Sequence, residues 1–349
     1  MQPKYLFGSV TRIAGLRERD FEVRPVPRAD WDGGDYVVGE VIQPVRGGLC
    51  IELPTGRHAE PMIGDLVVGA LGHRAATLEM TGDWHAIGPD GRIDFLTAAG
   101  VVGRMSSKSP FLPDPIAGRY RGHVFVEGRP AHMHDYAIRA EVEHELQSPV
   151  VLIVGTSMSS GKTMAARLIV RLLRHAGLRV AAGKLSGAGR YRDTLAMRDA
   201  GAVADFDFVD AGLPTTVCSA ERYLATIRPL LSRLAEVEAD AVVVEAGASP
   251  IEPYNGDTLM RLLGDRIRCM VLCASDPYAV MGIMHAFDRR PDVVTGIATN
   301  TSAGIQVIEK QVGVPALNVQ DPADAPRMLE ILERCLPCLP VDASAPAGR

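Results

Sequence analysis

No stretch of this 349-residue chain approaches the roughly 20 consecutive apolar residues that a membrane-spanning helix needs, so no membrane contact is expected. The opening residues, MQPKYLFGSV, lack the charged-then-apolar layout of a secretory leader, and a cytoplasmic location is the corresponding expectation. Positive charge is not in excess either. With 37 Lys and Arg against 42 Asp and Glu, the formal net charge is −5, which offers no field for gripping a nucleic acid backbone. An anionic ligand therefore has to be met by a local cationic site. Cysteine is sparse: six residues without paired spacing do not describe a disulfide framework. The exception, Cys335-Leu-Pro-Cys338, has redox or zinc spacing, but no second Cys or His pair accompanies it in the sequence. Internal repeats and low-complexity segments are missing too.

What is present is ample core material, 47% apolar against 23% charged residues, in a chain longer than one hydrophobic core usually organises. The texture divides it. Residues 1–137 carry short β-like runs at 36–42, 49–53, 65–71 and 123–126, separated by turn residues such as Asp32-Gly33-Gly34 and Asp90-Gly91. A β-rich domain, barrel or sandwich, is expected there. Residues 138–149 read as a linker, with IRAEVEHEL (138–146) as a short helix. Over 150–335 apolar runs alternate with helical periods, the pattern of a parallel α/β domain, and 341–349 reads as a loose tail.

Residues 151–163, VLIVGTSMSSGKT, carry the strongest signal. The apolar run at 150–154 suits a central parallel strand. After Lys162 the apolar positions Met164, Ala165, Leu168, Ile169, Leu172 and Leu173 share one helical face, and Gly177 is placed to end that helix. A Gly/Ser-rich loop between a strand and a helix N-terminus is a phosphate cradle, because unpaired N–H groups and the helix dipole both point at the anion. Gly155, Thr156, Ser159, Ser160 and Gly161 would form the nucleotide-binding loop. Lys162 would set its charge between the β- and γ-phosphates, and the Thr163 hydroxyl would bind Mg²⁺. The first glycine stands one place early, since Thr156 holds the usual position.

The Gly155-Thr156 opening of a loop that closes on Gly161-Lys162-Thr163 resembles dethiobiotin synthetase and its cobyrinic acid amide synthase relatives among the P-loop NTPases. Two further matches support the resemblance: Lys184-Leu-Ser-Gly187, similar to that family's Lys-x-x-Ser-Gly element, and the strand 240–245 ending in Glu245-Ala-Gly247. It implies that Lys184 faces the reacting phosphoryl group and that Glu245 holds Mg²⁺. The sequence departs at Ser157, where that family has an acid, and Asp193 or Asp199 is the available substitute. Segment 193–202 and Glu245 are also similar to a P-loop family that includes D-glutamate N-acetyltransferases, although that family's N-terminal domain is Rossmann-like rather than β-rich. Asn300 follows a late strand where the base would be read, without the guanine-reading Asn-Lys-x-Asp pattern, which favours ATP. Asp276 before Pro277 reads as a helix cap, His132-Met-His134-Asp135 as a polar β-edge, and the glycines of 183–189 as no dinucleotide fingerprint.

The expected fold is thus α/β, a parallel P-loop NTPase sheet flanked by helices and preceded by a smaller β-rich barrel or sandwich. The expected function is an ATP- and Mg²⁺-dependent ligase-like enzyme in which Lys162 and Lys184 are catalytic and Thr163, Glu245 and Asp193 bind metal. It would activate a carboxylate or carbamate of a small molecule and form an amide-type bond. The alternatives are an acyl-CoA-dependent N-acyltransferase and a nucleotide-switched chaperone for metal or cofactor delivery. A carboxylate-bearing small molecule is the expected partner, not nucleic acid or membrane, and a homo-oligomer the expected assembly.

Overall fold

The computed structural model describes residues 4–140 and 142–337. In its N-terminal part the strands Leu66–Leu71, Tyr36–Val41, Ile116–Val126, Arg92–Phe95 and Val101–Lys108 pair antiparallel in that order. The last then pairs back onto the first in parallel, Val101 opposite Ala70 and Val102 opposite Leu71, and closes a barrel. Closure brings two backbones very near each other. A Cβ on Gly69 would strike the Gly100 carbonyl and come within 2.8 Å of Val102 Cγ2, so only glycine fits. A hairpin of His73–Ala76 and Met80–Asp83 projects from the barrel along Val101–Lys108.

Side chains alternate across these strands, yet both faces are apolar. Val37, Val41, Val67, Leu71, Ile93, Phe95, Val102 and Ile116 fill the barrel with Trp84. Tyr36, Val38, Val68, Ala70 and Val101 point outward into a core shared with Phe208, Val209 and Leu213 of the C-terminal half. This two-sided burial explains why the barrel strands read as nearly continuous apolar runs.

The C-terminal half is a six-stranded sheet, parallel throughout, in the order Ala204–Asp207, Val180–Ser186, Ala241–Ala246, Val150–Gly155, Ile267–Cys273, Val293–Thr295. Helices α1 (Lys162–His175), α2 (Tyr191–Asp199), α3 (Ala220–Ala235), α4 (Gly256–Leu263), α5 (Pro277–Phe287), α6 (Ser302–Val307) and α7 (Ala325–Cys335) follow in chain order. α1, α2 and α7 cover one face, through Ile169, Leu173, Met197 and Ile331. α3, α4 and α5 cover the other, through Ile227, Leu230, Leu259 and Val280. α1 stops where its sequence says, with Gly177 at φ 90° just past the cap residue Ala176.

The linker differs from expectation. Its described residues form no helix, because their backbone groups bond to α3 instead: His144 N–H donates to Ser232 Oγ at 2.8 Å, and Ser232 donates to the Val142 carbonyl at 2.9 Å. Leu146 is buried in the shared core. The tail at 341–349 and Cys338 lie outside the described residues. Among the described residues no helix is long and apolar enough to cross a membrane.

Candidate functional site

The strand Val150–Gly155 lies in the sheet interior and delivers the 156–161 loop to the N-terminus of α1. Gly161 turns into the helix at φ 102°, and no side chain caps it. The backbone N–H groups of Gly161, Lys162 and Thr163 lie at the entry and first turn of α1, where Gly161 offers no side-chain cap. That leaves a set of donors at the positive end of a helix dipole, as an anion site requires. Lys162 is 3% exposed, and its ammonium donates to the carbonyls of Ser157 at 2.6 Å and Met158 at 3.3 Å. Burial pulls its pKa below the ordinary lysine value, with Glu245 opposing.

The early glycine has a steric reason. A Cβ at Gly155 would lie 2.8 Å from both Cγ and Cδ of Lys162 and strike the Ser160 hydroxyl, so glycine there lets the lysine stem fold beneath its own loop. Thr156 is bonded to the neighbouring strand end. Its N–H donates to the Cys273 carbonyl at 3.0 Å and its hydroxyl accepts from Ser275 N at 3.0 Å, which pins the loop there. Ser160 is fully buried and bonds Ser157 O at 3.0 Å. Met158, Ser159, Gly161, Lys162 and Thr163 are the loop positions that line the adjacent cavity.

Sheet register places Lys184 opposite Glu245. Lys184 is 5% exposed and paired with Asp193 of α2 at 2.5 Å, with the Ala188 carbonyl at 3.2 Å. Burial opposes both charges of this pair, but each partner outweighs it: Lys184 is raised above the ordinary lysine value by Asp193 and Glu245, and Asp193 is held below the carboxylate range by Lys184. Glu245, 2% exposed, accepts from the Thr163 hydroxyl at 3.3 Å through Oε1. Its Oε2 is buried without a hydrogen-bond partner. Burial first, then the Asp193 charge, pushes its pKa up to about 7. Lys162, Thr163, Lys184, Asp193 and Glu245 thus converge at the floor of one cavity of about 1120 Å³. Of the two acids left open by the sequence, Asp193 joins this cluster and Asp199 is exposed on the cavity wall. Asn300 does not line it. It is exposed after the 3₁₀ turn Ile297–Thr299, beyond the opposite edge of the sheet from Lys184. Asp276 caps α5, accepting from Tyr278 N and Ala279 N, and His132 with Asp135 forms a capping box on a 3₁₀ turn.

The roof of the cavity belongs to the barrel half and could not be read from the sequence. Glu79 accepts a short hydrogen bond from Ser159 and an ion pair from Arg74 at 2.6 Å. The same hairpin is clamped to the loop after Ala241–Ala246: Tyr254 OH accepts from Ala75 N at 2.7 Å, and Glu252 accepts from Thr77 N and its hydroxyl at 2.7 and 2.8 Å. Glu52, fully buried, caps α2 from a distance by accepting from Tyr191 N and Arg192 N, both at 2.8 Å, while Ser9 donates to it at 2.5 Å. α2's own cap residue, Arg190, makes no such bond. Arg12 bridges Asp207 and Asp210 at 2.6 and 2.8 Å and covers the Tyr191 ring. None of these acids and arginines carries a local sequence signal.

The parallel sheet, the loop and the helix that follows it make the C-terminal half a P-loop nucleotide-binding fold. No protein-family model matches the sequence, and no curated protein does. Among solved structures, similar ones include the hydrogenase maturation factor HypB from Archaeoglobus fulgidus (14% identity, 54% of this chain and 90% of that one, TM-score 0.36). The signal recognition particle receptor FtsY from Elizabethkingia anophelis is also similar (16%, 49% and 57%, 0.35). So is a DUF1611 family protein from Anabaena variabilis (16%, 56% and 63%, 0.34). The match spans under two thirds of the last two proteins' own lengths.

Proposed function

We propose that this protein is an ATP- and Mg²⁺-dependent enzyme that activates the carboxylate or carbamate of a small metabolite and joins it in an amide-type bond. The observation that carries this reading is the second lysine: Lys184, almost fully buried, stands with Asp193 beside the phosphate loop at the floor of a large cavity. A protein that only binds a nucleotide has no need of it. The chemistry of the donor set fits Mg²⁺, a hard cation that takes oxygen ligands. Thr163, Glu245 and Asp193 would hold it, and the unpartnered Glu245 Oε2 is the atom such an ion would satisfy. When bound, ATP supplies the phosphoryl group and Mg²⁺ neutralises its charge.

The protein's own residues do the rest by positioning and charge. The N–H groups of 159–163 bind the phosphates, and Lys162 exchanges the Ser157 and Met158 carbonyls for them. Lys184 stabilises charge as it moves between the phosphoryl group and the acceptor. Arg74 and the hairpin shut out water, and Arg190 and Arg192 at the rim orient a substrate carboxylate. Glu245, with its pKa pushed up to about 7 by burial and Asp193, would hold the cation as a carboxylate. One observation favours a second reading: Arg167, Arg171 and His175, spaced one turn apart on α1, extend the basic wall of the cavity past the loop. Such a wall suits a phosphate-bearing acyl carrier, hence an acyl-CoA-dependent N-acyltransferase.

Incubation of the full chain with ATP, Mg²⁺ and panels of small carboxylates and amines separates the two. Substrate-dependent ADP release supports the ligase reading, and CoA release without ATP loss the acyltransferase. With substrate in hand, Lys184→Gln is expected to lower kcat about 100-fold or more while nucleotide Kd stays within about threefold. A Lys184→Gln enzyme with near-normal turnover would sink the proposal.

A further inference from the structure

The Cys-x-x-Cys spacing at 335 and 338 is not used by the function proposed above. Its first member, Cys335, is the last residue of α7, which packs through Met328, Ile331 and Leu332 under the parallel sheet. There the chain supplies the partners that the sequence lacked. Cys269 comes from the strand Ile267–Cys273, and Asp292 immediately precedes the edge strand Val293–Thr295. One ligand atom from each of Cys269, Asp292 and Cys335 lies within 4.8 Å of the others. Cys269 is fully buried, Cys335 half-buried and Asp292 exposed, so the cluster runs from the core to the surface. Asp292 is oriented by accepting from Met270 N at 2.7 Å.

We infer that Cys269, Asp292 and Cys335 form a binding site for a thiophilic divalent cation of the zinc class, with water as the fourth ligand. Three donors of the S₂O type, brought together from three separate elements, suit zinc, which binds thiolate and carboxylate in a tetrahedron. The oxygen-only Thr163, Asp193 and Glu245 suit the harder ion. Binding breaks two S–H bonds, forms two metal–thiolate bonds and releases two protons to solvent. The three anionic ligands exceed the charge of a divalent ion by one. Arg268, Arg289 and Arg334 line the cleft of about 840 Å³ on which Cys335 and Asp292 open. Asp257, Asp265 and Asp288 line the same cleft, so of these arginines it is Arg334, beside Cys335, that favours its thiolate, and the cleft is the entry path. The site is distinct from the nucleotide cavity. Cys273, at the other end of the Cys269 strand, is the residue that touches the phosphate loop, and the two stand four positions, about 13 Å, apart along the strand. The cation would tie α7 and the edge strand to the base of the sheet.

The test uses the full chain, reduced and freed of metal, titrated with Zn²⁺ and separately with Co²⁺. About one equivalent of tightly held Zn²⁺ is expected, together with a thiolate-to-Co²⁺ charge-transfer band in the near ultraviolet. Cys269→Ser and Cys335→Ser should each weaken binding about 100-fold or more and reduce that band. Cys335 sits at the end of a helix, so its variant keeps the fold if the buried Cys269→Ser does not, and the wild-type band needs no variant. Absence of the band overturns the inference. So does a Zn²⁺ affinity unchanged in Cys335→Ser, or a Cys269–Cys335 disulfide in the protein as isolated.

Discussion

Glu245 shows at the residue scale what the site costs. A carboxylate 2% exposed, with one oxygen unpartnered, is driven to a pKa of about 7 by burial and by Asp193. A folded-state value raised above the unfolded one means that the folded protein holds a proton which the unfolded chain releases between about pH 4 and 7. Stability from this group is therefore present below that window and lost as pH rises through it. Glu245→Gln removes the ionisation and should stabilise the nucleotide-free protein at pH 8 by about 1–3 kcal/mol. The gain should shrink as pH falls toward 5, and thermal melts of both proteins across that range check it. The same variant should lose Mg²⁺-dependent turnover, the familiar exchange of stability for function at a strained site. A melt difference independent of pH would place the Glu245 pKa elsewhere.

At the scale of elements, the decisive piece is α2. It carries Asp193, which holds Lys184, and its own N-terminus lacks a cap. Glu52 of the barrel half supplies the cap, with a negative charge at the positive end of the helix dipole. Glu52→Gln keeps the shape but replaces one acceptor oxygen with a donor, so an N–H in the first turn of α2 loses its partner. The expected cost is about 1–3 kcal/mol in denaturant unfolding. Turnover should fall as well, because α2 sets the Lys184–Asp193 pair. A variant as stable as the parent would show that Glu52 is incidental to α2. α1 contrasts with α2: its end is left open, and that is where an anion belongs.

Across the whole molecule, the barrel is joined to the P-loop half by more than the linker. Its outward Tyr36, Val38, Val68, Ala70 and Val101 belong to the same core as Phe208 and Val209, and Arg12 is fixed between Asp207 and Asp210. The barrel also has an interior of its own. Cleavage within the linker should therefore leave two pieces that migrate together in size exclusion at low denaturant. A fragment of residues 1–137 should keep strand circular dichroism but bind a hydrophobic dye through its uncovered strip. Pieces that part freely, with no dye binding, would mean that the shared core contributes little.

Local patterns were enough for much of this. The phosphate loop, α1 with its stop at Gly177, and the alternation of the C-terminal half follow from spacing and propensity over a few residues. Lys184 and Glu245 were legible because each ends an apolar run, and parallel strands present their ends at one edge of the sheet. The barrel's closure, the cap on α2, the roof over the cavity and the Cys269–Asp292–Cys335 cluster were not. Each joins residues far apart in the chain: Glu52 lies 139 and 140 positions from its partners and Glu79 lies 80 from Ser159. The short helix expected in the linker does not form at its described residues for the same reason, since Ser232, 88 and 90 positions away, takes their backbone bonds. Short-range hydrogen bonding and side-chain periodicity are encoded locally, whereas which acid meets which amide across a shared core depends on how two sheets pack, and only the tertiary structure decides that.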